Sequence, residues 1–393
     1  MSTHTNACWI NNANIQLDTL LVFTFFLINL LTRQVNPPTR QPKTFMHSFQ
    51  PYISVVVPYR NRAHLLGRML GSVTFPEKEM VELLLVDNGS TDEAPSMATE
   101  FARWAEQRWA DEKADCRLVV RLESCPNGNA CDARNAGLRM ARGRWVYFFD
   151  SDDQLSPGFF DRLGSELRRR KGIQLLALHT MAVSSDGVPL KRRGRSTDSP
   201  ANQILTGVLS TQSMVFDRDF LVGIGGWNNR LPKWNDWELG VRTLLARPRM
   251  EWVDGCVFHR IYLHADSITG ADFSSTFERM LPALDRVRCL LGPSTHEGCG
   301  GADGNEKGLF TCASEGLTPR MRLHALRALA AREAILSGQL AHEGSRELSE
   351  RMWRQADTDA RSCGRGYAAW LHFVRWFAAH GGRGAWLLAE PWC

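Results

Sequence analysis

The sequence predicts an α/β protein, a mostly parallel sheet with flanking helices, followed by an α-helical C-terminal extension. Three observations lead there. Strand-like and helix-like segments alternate four times between Ile53 and Asp150, the pattern of βαβ units. The strand segments, such as ISVVVP (Ile53–Pro58), are continuously apolar and β-branched, as strands covered on both faces require. From about Thr318 onward Ala, Arg, Leu and Glu recur with helical period.

Taken in order, Ile53–Pro58 predicts the first strand and AHLLGRMLGSV (Ala63–Val73) the first helix. VELLLVD (Val81–Asp87) is the second strand, and Thr91–Glu112 a helix with an acidic start. RLVVRLE (Arg117–Glu123) reads as the third strand, CDARNAGLRMAR (Cys131–Arg142) as a helix ending at Gly143, and RWVYFFD (Arg144–Asp150) as the fourth strand. Gly158–Lys171 predicts another helix, Ile173–Val183 another strand, and KRRGR (Lys191–Arg195) a basic loop. A Trp-rich segment, Ala369–Trp392, closes the chain.

Length and composition divide the chain into residues 1–50, an N-terminal extension; 51–275, the α/β domain; and 276–393, the helical region. The extension holds an apolar run, Leu20–Leu31, of only 12 residues, against the ~20 that a spanning helix needs. Anchor, interfacial segment and dispensable extension ahead of Met46 fit it equally. Its basic flank (Arg33, Arg40, Lys43) follows the run, which would leave the next domain cytoplasmic. A hydrophobic fraction of 44% and a charged fraction of 23% exclude collagen-like, disordered and polytopic membrane classes. A net charge of +5 is too small for a dedicated nucleic-acid binder. Ten cysteines without a C-x-x-C pair argue against a disulfide framework or a Cys-based zinc site, and for reduced thiols in the cytoplasm.

A ligand of a parallel sheet lies beyond the carboxyl ends of its strands. Those ends read Pro58-Tyr59-Arg60-Asn61, Asp87-Asn88-Gly89-Ser90, Cys125-Pro126-Asn127-Gly128-Asn129 and Asp150-Ser151-Asp152-Asp153. All are polar, and two begin on a carboxylate. The Asp-x-Asp of FFDSDDQLSPGFF places Asp150 and Asp152 together at a sheet edge. Such a pair favours a hard divalent cation, Mn²⁺ or Mg²⁺, with diphosphate oxygens completing its shell. The plainer reading is a solvated acidic loop, with Asp153 capping the next helix. Likewise Tyr59 reads as edge packing, Arg134 as a surface ion pair, and Asp87 as the cap of its own turn.

Together ISVVVPYRNR, VELLLVDNGSTDEA and NGNACDARNAGLRMARGRWVYFFDSDDQLSPGFF resemble glycosyltransferase family 2, the inverting enzymes with the GT-A (Rossmann-like) fold. The resemblance runs from about Ile53 to Thr269. It implies that Pro58, Tyr59 and Arg60 line a nucleotide pocket, with Asp87 and Asn88 near the base. Asn88 stands where the family usually has Asp. Arg134 would lie near the base or diphosphate, while Asp150, Ser151 and Asp152 would hold the donor's ribose, diphosphate and metal. NDWELGVR resembles the family's Glu-Asp segment, with Asn235 replacing the Glu and Asp236 aligned with the Asp. Asp236 is then the base that deprotonates the acceptor hydroxyl, with Glu238 the alternate; helix capping is the plainer role of both. Trp227, Trp234 and Trp237 fit sugar stacking as well as core packing. VFHRIYLHADSIT resembles the family's later His-containing element, which implies His264 as a metal or diphosphate ligand, His259 being a weaker candidate.

The function so implied is transfer of a hexose or N-acetylhexosamine from a UDP-linked nucleotide-diphospho-sugar to a hydroxyl of a glycan or lipid-linked glycan. A location in the cytoplasm or on the cytoplasmic face of the membrane goes with it. The aromatic, basic tail fits peripheral membrane contact as well as a helical cap. A nucleotidyltransferase shares the α/β core, but the loop after the first strand, PYRNR, has no glycine. Replacement of acids by Asn88 and Asn235 also suits an inactive sugar-nucleotide-binding homologue. No P-loop and no G-x-G-x-x-G occurs.

Overall fold

The computed structural model describes residues 50–111, 117–184, 188–193, 197–262, 272–292, 317–382 and 384–392. The apolar run at 20–31 and the segment with His264 lie outside the described residues.

Strands β1 (Ile53–Tyr59), β2 (Val81–Asp87), β3 (Leu118–Ser124) and β4 (Trp145–Phe148) lie in the order β3-β2-β1-β4, all parallel. Helices α1 (Ala63–Gly71), α2 (Ala94–Asp111) and α3 (Ala130–Met140) connect them. Beyond β4 the sheet changes direction. Strand β8 (Met214–Asp217) is antiparallel to β4 and to β6 (Leu175–Val183). Then β9 (Met250–Tyr262) runs parallel to β6, and the short β5 (Gln154–Leu155) closes the edge against β9. The result is a mixed sheet with helices on both faces and a helical C-terminal region, the α/β architecture expected.

Period-two alternation sorts the buried strand residues between two cores. Val55 and Val57 join α1, α2 and α4 (Phe159–Arg169) on one face. Val56, Leu84 and Phe148 join α3 and α7 (Asn235–Leu245) on the other. Gly137 lets α3 press onto β1, since a Cβ there would stand 2.3 Å from Val56 Cγ1. The polar interruptions Ser54 and Glu82 are buried, and their side chains bond each other at 2.6 Å with Arg121 pairing Glu82 at 3.0 Å. Buried polar groups are tolerated when satisfied in this way.

Helix α2 begins at Ala94 rather than Thr91, because Asp92 accepts from the Ala94 amide (3.1 Å) and from the Ala63 amide at the start of α1 (2.8 Å). Lys191–Arg193 of the KRRGR segment, expected as a loop, instead lie in strand β7 (Pro189–Arg193), antiparallel to β6, and 194–195 lie outside the described residues. The open backbone edge of β6 outweighs the loop-like composition of the segment, and basic residues are common on edge strands.

The boundary drawn at 275/276 falls inside α8 (Phe273–Leu291). A third core unites α8, α9 (Pro319–His342), α10 (Arg346–Ser362) and α11 (Arg365–Ala379) with α5 (Pro200–Thr206) and α7 of the sheet domain. Helix α7 faces both ways: Leu239 and Leu244 enter the sheet core, Trp237, Val241 and Leu245 the helical one. Among the described residues no helix is long and apolar enough to cross a membrane.

One charge cluster around the buried Glu333 fastens the helical region: Arg288 of α8 bonds Asp285, Asp359 of α10 and Glu333 of α9. Burial pushes the Glu333 carboxyl up to about 8 against the opposing Arg288 charge. The folded state therefore binds this proton more tightly than the unfolded chain, so the contribution is full below the ordinary Glu range and is lost as pH rises toward 8. We expect the thermal midpoint to fall between pH 5 and pH 8 and Glu333→Gln to flatten that slope, checked by scanning calorimetry; an unchanged slope in the variant would assign it elsewhere.

Candidate functional site

The carboxyl ends of the parallel strands form one polar edge. Parallel pairing sets Tyr59 beside Asp87. Asp87 Oδ1 accepts from the Ser90 amide at 2.9 Å, capping its own turn. Asn61, at φ +50°, binds that turn to the first loop through Thr91 N–H (2.8 Å) and Ser90 Oγ (3.1 Å). The third loop abuts the second, since a Cβ on Gly89 (φ +78°) would lie 2.8 Å from the Pro126 carbonyl oxygen. Arg60 is exposed, Pro58 and Asn88 are buried, and Asn88 Oδ1 has no hydrogen-bond partner. Tyr59 departs from expectation: its ring packs in the core, and burial with the Asp87 and Asp92 charges raises its pKa.

At the end of β4, Asp150 is held from two sides. Arg134 Nη2 of α3 donates to Oδ1 at 2.9 Å, and Gln212 Nε2 donates to Oδ2. The Arg134 guanidinium lies 4.5 Å over the Trp227 ring. The Trp227 backbone is clamped by Asn135, accepting at 2.9 Å and donating at 2.8 Å. Thus the Arg-Asn pair of α3 positions both the carboxylate and the aromatic wall.

The remaining acids of the DSDD turn diverge. Ser151 is buried and Asp152 half-buried, with the Asp152 carbonyl accepting from Arg68 Nη2 at 2.5 Å. Asp153 is enclosed: it accepts from the Tyr262 amide at 3.0 Å and pairs with His259 Nε2 at 2.8 Å. Tyr147 Oη stands 2.5 Å from the other His259 nitrogen. Asp153 is therefore no helix cap, and His259, fully buried with both nitrogens engaged, is no metal ligand. Burial raises the Asp153 carboxyl, opposed by the His259 bond.

Asp236 occupies the first turn of α7, after a left-handed Trp234 (φ +59°). Its Oδ1 accepts from the Trp237 amide at 2.8 Å. Burial raises its pKa, with the Trp237 N–H and the Arg134 charge opposing and Asp150 adding. Asp236 thus shares one electrostatic field with Arg134 and Asp150. Glu238, the alternate base, is fully buried and bonded to Arg242 twice, at 2.8 and 2.9 Å. Arg242 also donates to the carbonyls of Ile224 (2.5 Å) and Gly226 (2.8 Å). This pair fastens α7 to the loop before Trp227, a structural role for Glu238.

Two residues of this region had no sequence motif: Gln212, in a short turn before β8, and Arg332 of α9, whose guanidinium lies over Trp234 and Trp237. The donor set fits a hard cation: Asp150 and Asp152 offer carboxylate oxygens two residues apart, the chemistry of Mn²⁺ or Mg²⁺ sites that diphosphate completes. Among the described residues no cluster of three or more His, Cys, Asp or Glu side chains forms a ready cage.

Residues 54–213 match the model of glycosyl transferase family 2. This segment is a family 2 glycosyltransferase domain. Glycosyltransferase EpsJ of Bacillus subtilis is 27% identical over 164 residues, 42% of this chain and 43% of EpsJ. The succinoglycan biosynthesis protein ExoO of Rhizobium meliloti is 32% identical over 144 residues, 36% of either chain. A GalNAc(5)-diNAcBac-PP-undecaprenol β-1,3-glucosyltransferase of Campylobacter jejuni is 30% identical over 113 residues, 29% of this chain and 33% of that one. The match therefore spans less than half the length of each relative. Among solved structures, Staphylococcus aureus TarS 1–349 with UDP-GlcNAc gives a TM-score of 0.47 at 16% identity, covering 79% of this chain and 91% of that one.

Replacing Glu238 by Gln leaves Arg242 buried without its counter-charge, which typically costs ~3–5 kcal/mol. We expect a lowered urea midpoint for Glu238→Gln; parental stability with abolished activity would return Glu238 to the candidate bases.

Proposed function

We propose that this chain is an inverting glycosyltransferase that moves a hexose or N-acetylhexosamine from a UDP-linked donor to a hydroxyl of a glycan or lipid-linked glycan. The observation that carries the reading is the Arg134–Asp150 pair, bonded at 2.9 Å beyond the end of β4, whose two charges both act on the Asp236 carboxyl. The buried, unpartnered Oδ1 of Asn88 suits recognition of a base N–H, with Asp87, Pro58 and Arg60 around it. Asp150 and Asp152 would hold Mn²⁺ or Mg²⁺, which when bound supplies positive charge to the leaving diphosphate.

Asp236 takes the proton of the acceptor hydroxyl as its oxygen bonds to the anomeric carbon. The bond from that carbon to the diphosphate oxygen breaks on the opposite face, and the configuration inverts. A carboxylate whose pKa is raised by burial is a better base for this step. Arg134, held over Trp227, keeps Asp150 in place. The likeness to the succinoglycan biosynthesis protein ExoO and to the C. jejuni undecaprenol-linked glucosyltransferase supports an envelope polysaccharide or lipid-linked glycan as acceptor. A cytoplasmic location fits this reading, with Phe373, Trp376 and Leu387, all exposed, available to the membrane face. Nucleic acid has no part in it.

We expect Asp236→Asn to lower the turnover number by ~10²–10⁴ with donor affinity retained, and Asp152→Ala to abolish the response of turnover to Mn²⁺. Radiolabelled-sugar transfer and calorimetry of donor binding check both; full transfer by Asp236→Asn would remove it as the base.

A further inference from the structure

Among the described residues of the helical region, Arg332 reaches the turn that carries Asp236. Arg332 lies on α9, and its guanidinium stands 4.5 Å from the Trp234 ring centroid and 5.3 Å from that of Trp237. The two rings are 5.4 Å apart and flank Asp236 in the sequence. Arg332 Nη1 donates to the Leu205 carbonyl at 2.9 Å, while the Trp237 indole donates to the adjacent Ile204 carbonyl at 3.1 Å. Arg332 Nε is buried without a partner. The helix beneath is fixed by the bond from Glu333 to Arg288 and by Ala328, Leu329 and Ala331 in the shared core. Burial lowers the Arg332 pKa to about 10, with the Asp236 charge opposing; it remains a cation at neutral pH.

Trp234 needs such a brace. A bulky residue at φ +59° occupies a region that side chains with a Cβ rarely adopt, and such conformations persist where surrounding contacts enforce them. A planar guanidinium stacks on aromatic faces in a way an ammonium does not.

We propose that Arg332 is a positioning residue for the transfer reaction, clamping the Trp234–Trp237 turn so that the Asp236 carboxylate is held toward the site. The inference rests on Asp236 being the base. It makes the C-terminal helices part of the transfer apparatus, acting on chemistry and leaving the donor's nucleotide alone. A purely architectural arginine would instead lower stability and donor binding together.

The test compares full-length parent, Arg332→Met and Arg332→Lys for turnover, for calorimetric affinity toward UDP with Mn²⁺, and for thermal midpoint. Misplacing a reacting group by about 1 Å costs on the order of 100-fold. We expect Arg332→Met to lose ~10- to 100-fold in turnover with UDP affinity unchanged, and Arg332→Lys to recover part of the loss. Parental turnover in Arg332→Met, or a loss matched by equal loss of UDP affinity, overturns the proposal. If Arg332→Met does not fold, Arg332→Lys decides: lowered turnover with intact UDP affinity supports the clamp, and parental turnover overturns it. A parent that binds UDP but transfers nothing to any acceptor, or Asp236→Asn with full activity, instead marks failure of the underlying reading.

Discussion

The two-sided hold on Asp150 organises this molecule. Strand β4 is where the sheet turns from parallel to antiparallel, with β1 on one side and β8 on the other. Asp150 lies just beyond its end and receives Arg134 from the parallel half and Gln212 from the turn that leads into β8. A carboxylate at a partly enclosed edge must be paired or it shifts toward its neutral form. Here the pairing partners are the two halves of the fold, so satisfying the charge also fixes their relative position. Arg134 passes the constraint on to Trp227, and Glu238–Arg242 carries it from the loop before Trp227 to α7 and Asp236.

Much of the frame could be read from the chain because its causes are local. Continuous β-branched runs admit few alternatives to buried strands, and the polar ends of those strands mark the ligand edge without further information. The same locality explains what was missed. Tyr59 stands beside polar residues, yet its ring has more to gain in the apolar layer beneath β1 and β2. Glu238 looked chemical because it sits near a helix start, although its spacing of four from Arg242 already signals an ion pair.

Contacts between distant segments were beyond such reading. Gln212 and Arg332 meet the site only because β8 inserts beside β4 and α9 packs across α5 and α7. Asp153 and His259, 106 residues apart, find each other through the pairing of β5 with β9. Helical periodicity after Thr318 announced helices; it carried no record of the surface they cover.

The central claim is that the Asp150 edge binds a nucleoside diphosphate together with a divalent cation. Calorimetric titration of UDP into the parent chain and Asp150→Asn, each with and without Mn²⁺, tests it most directly. The result expected is binding by the parent that tightens with Mn²⁺ and a variant that loses this tightening. Equal UDP affinity in all four titrations, or none in the parent, would contradict it.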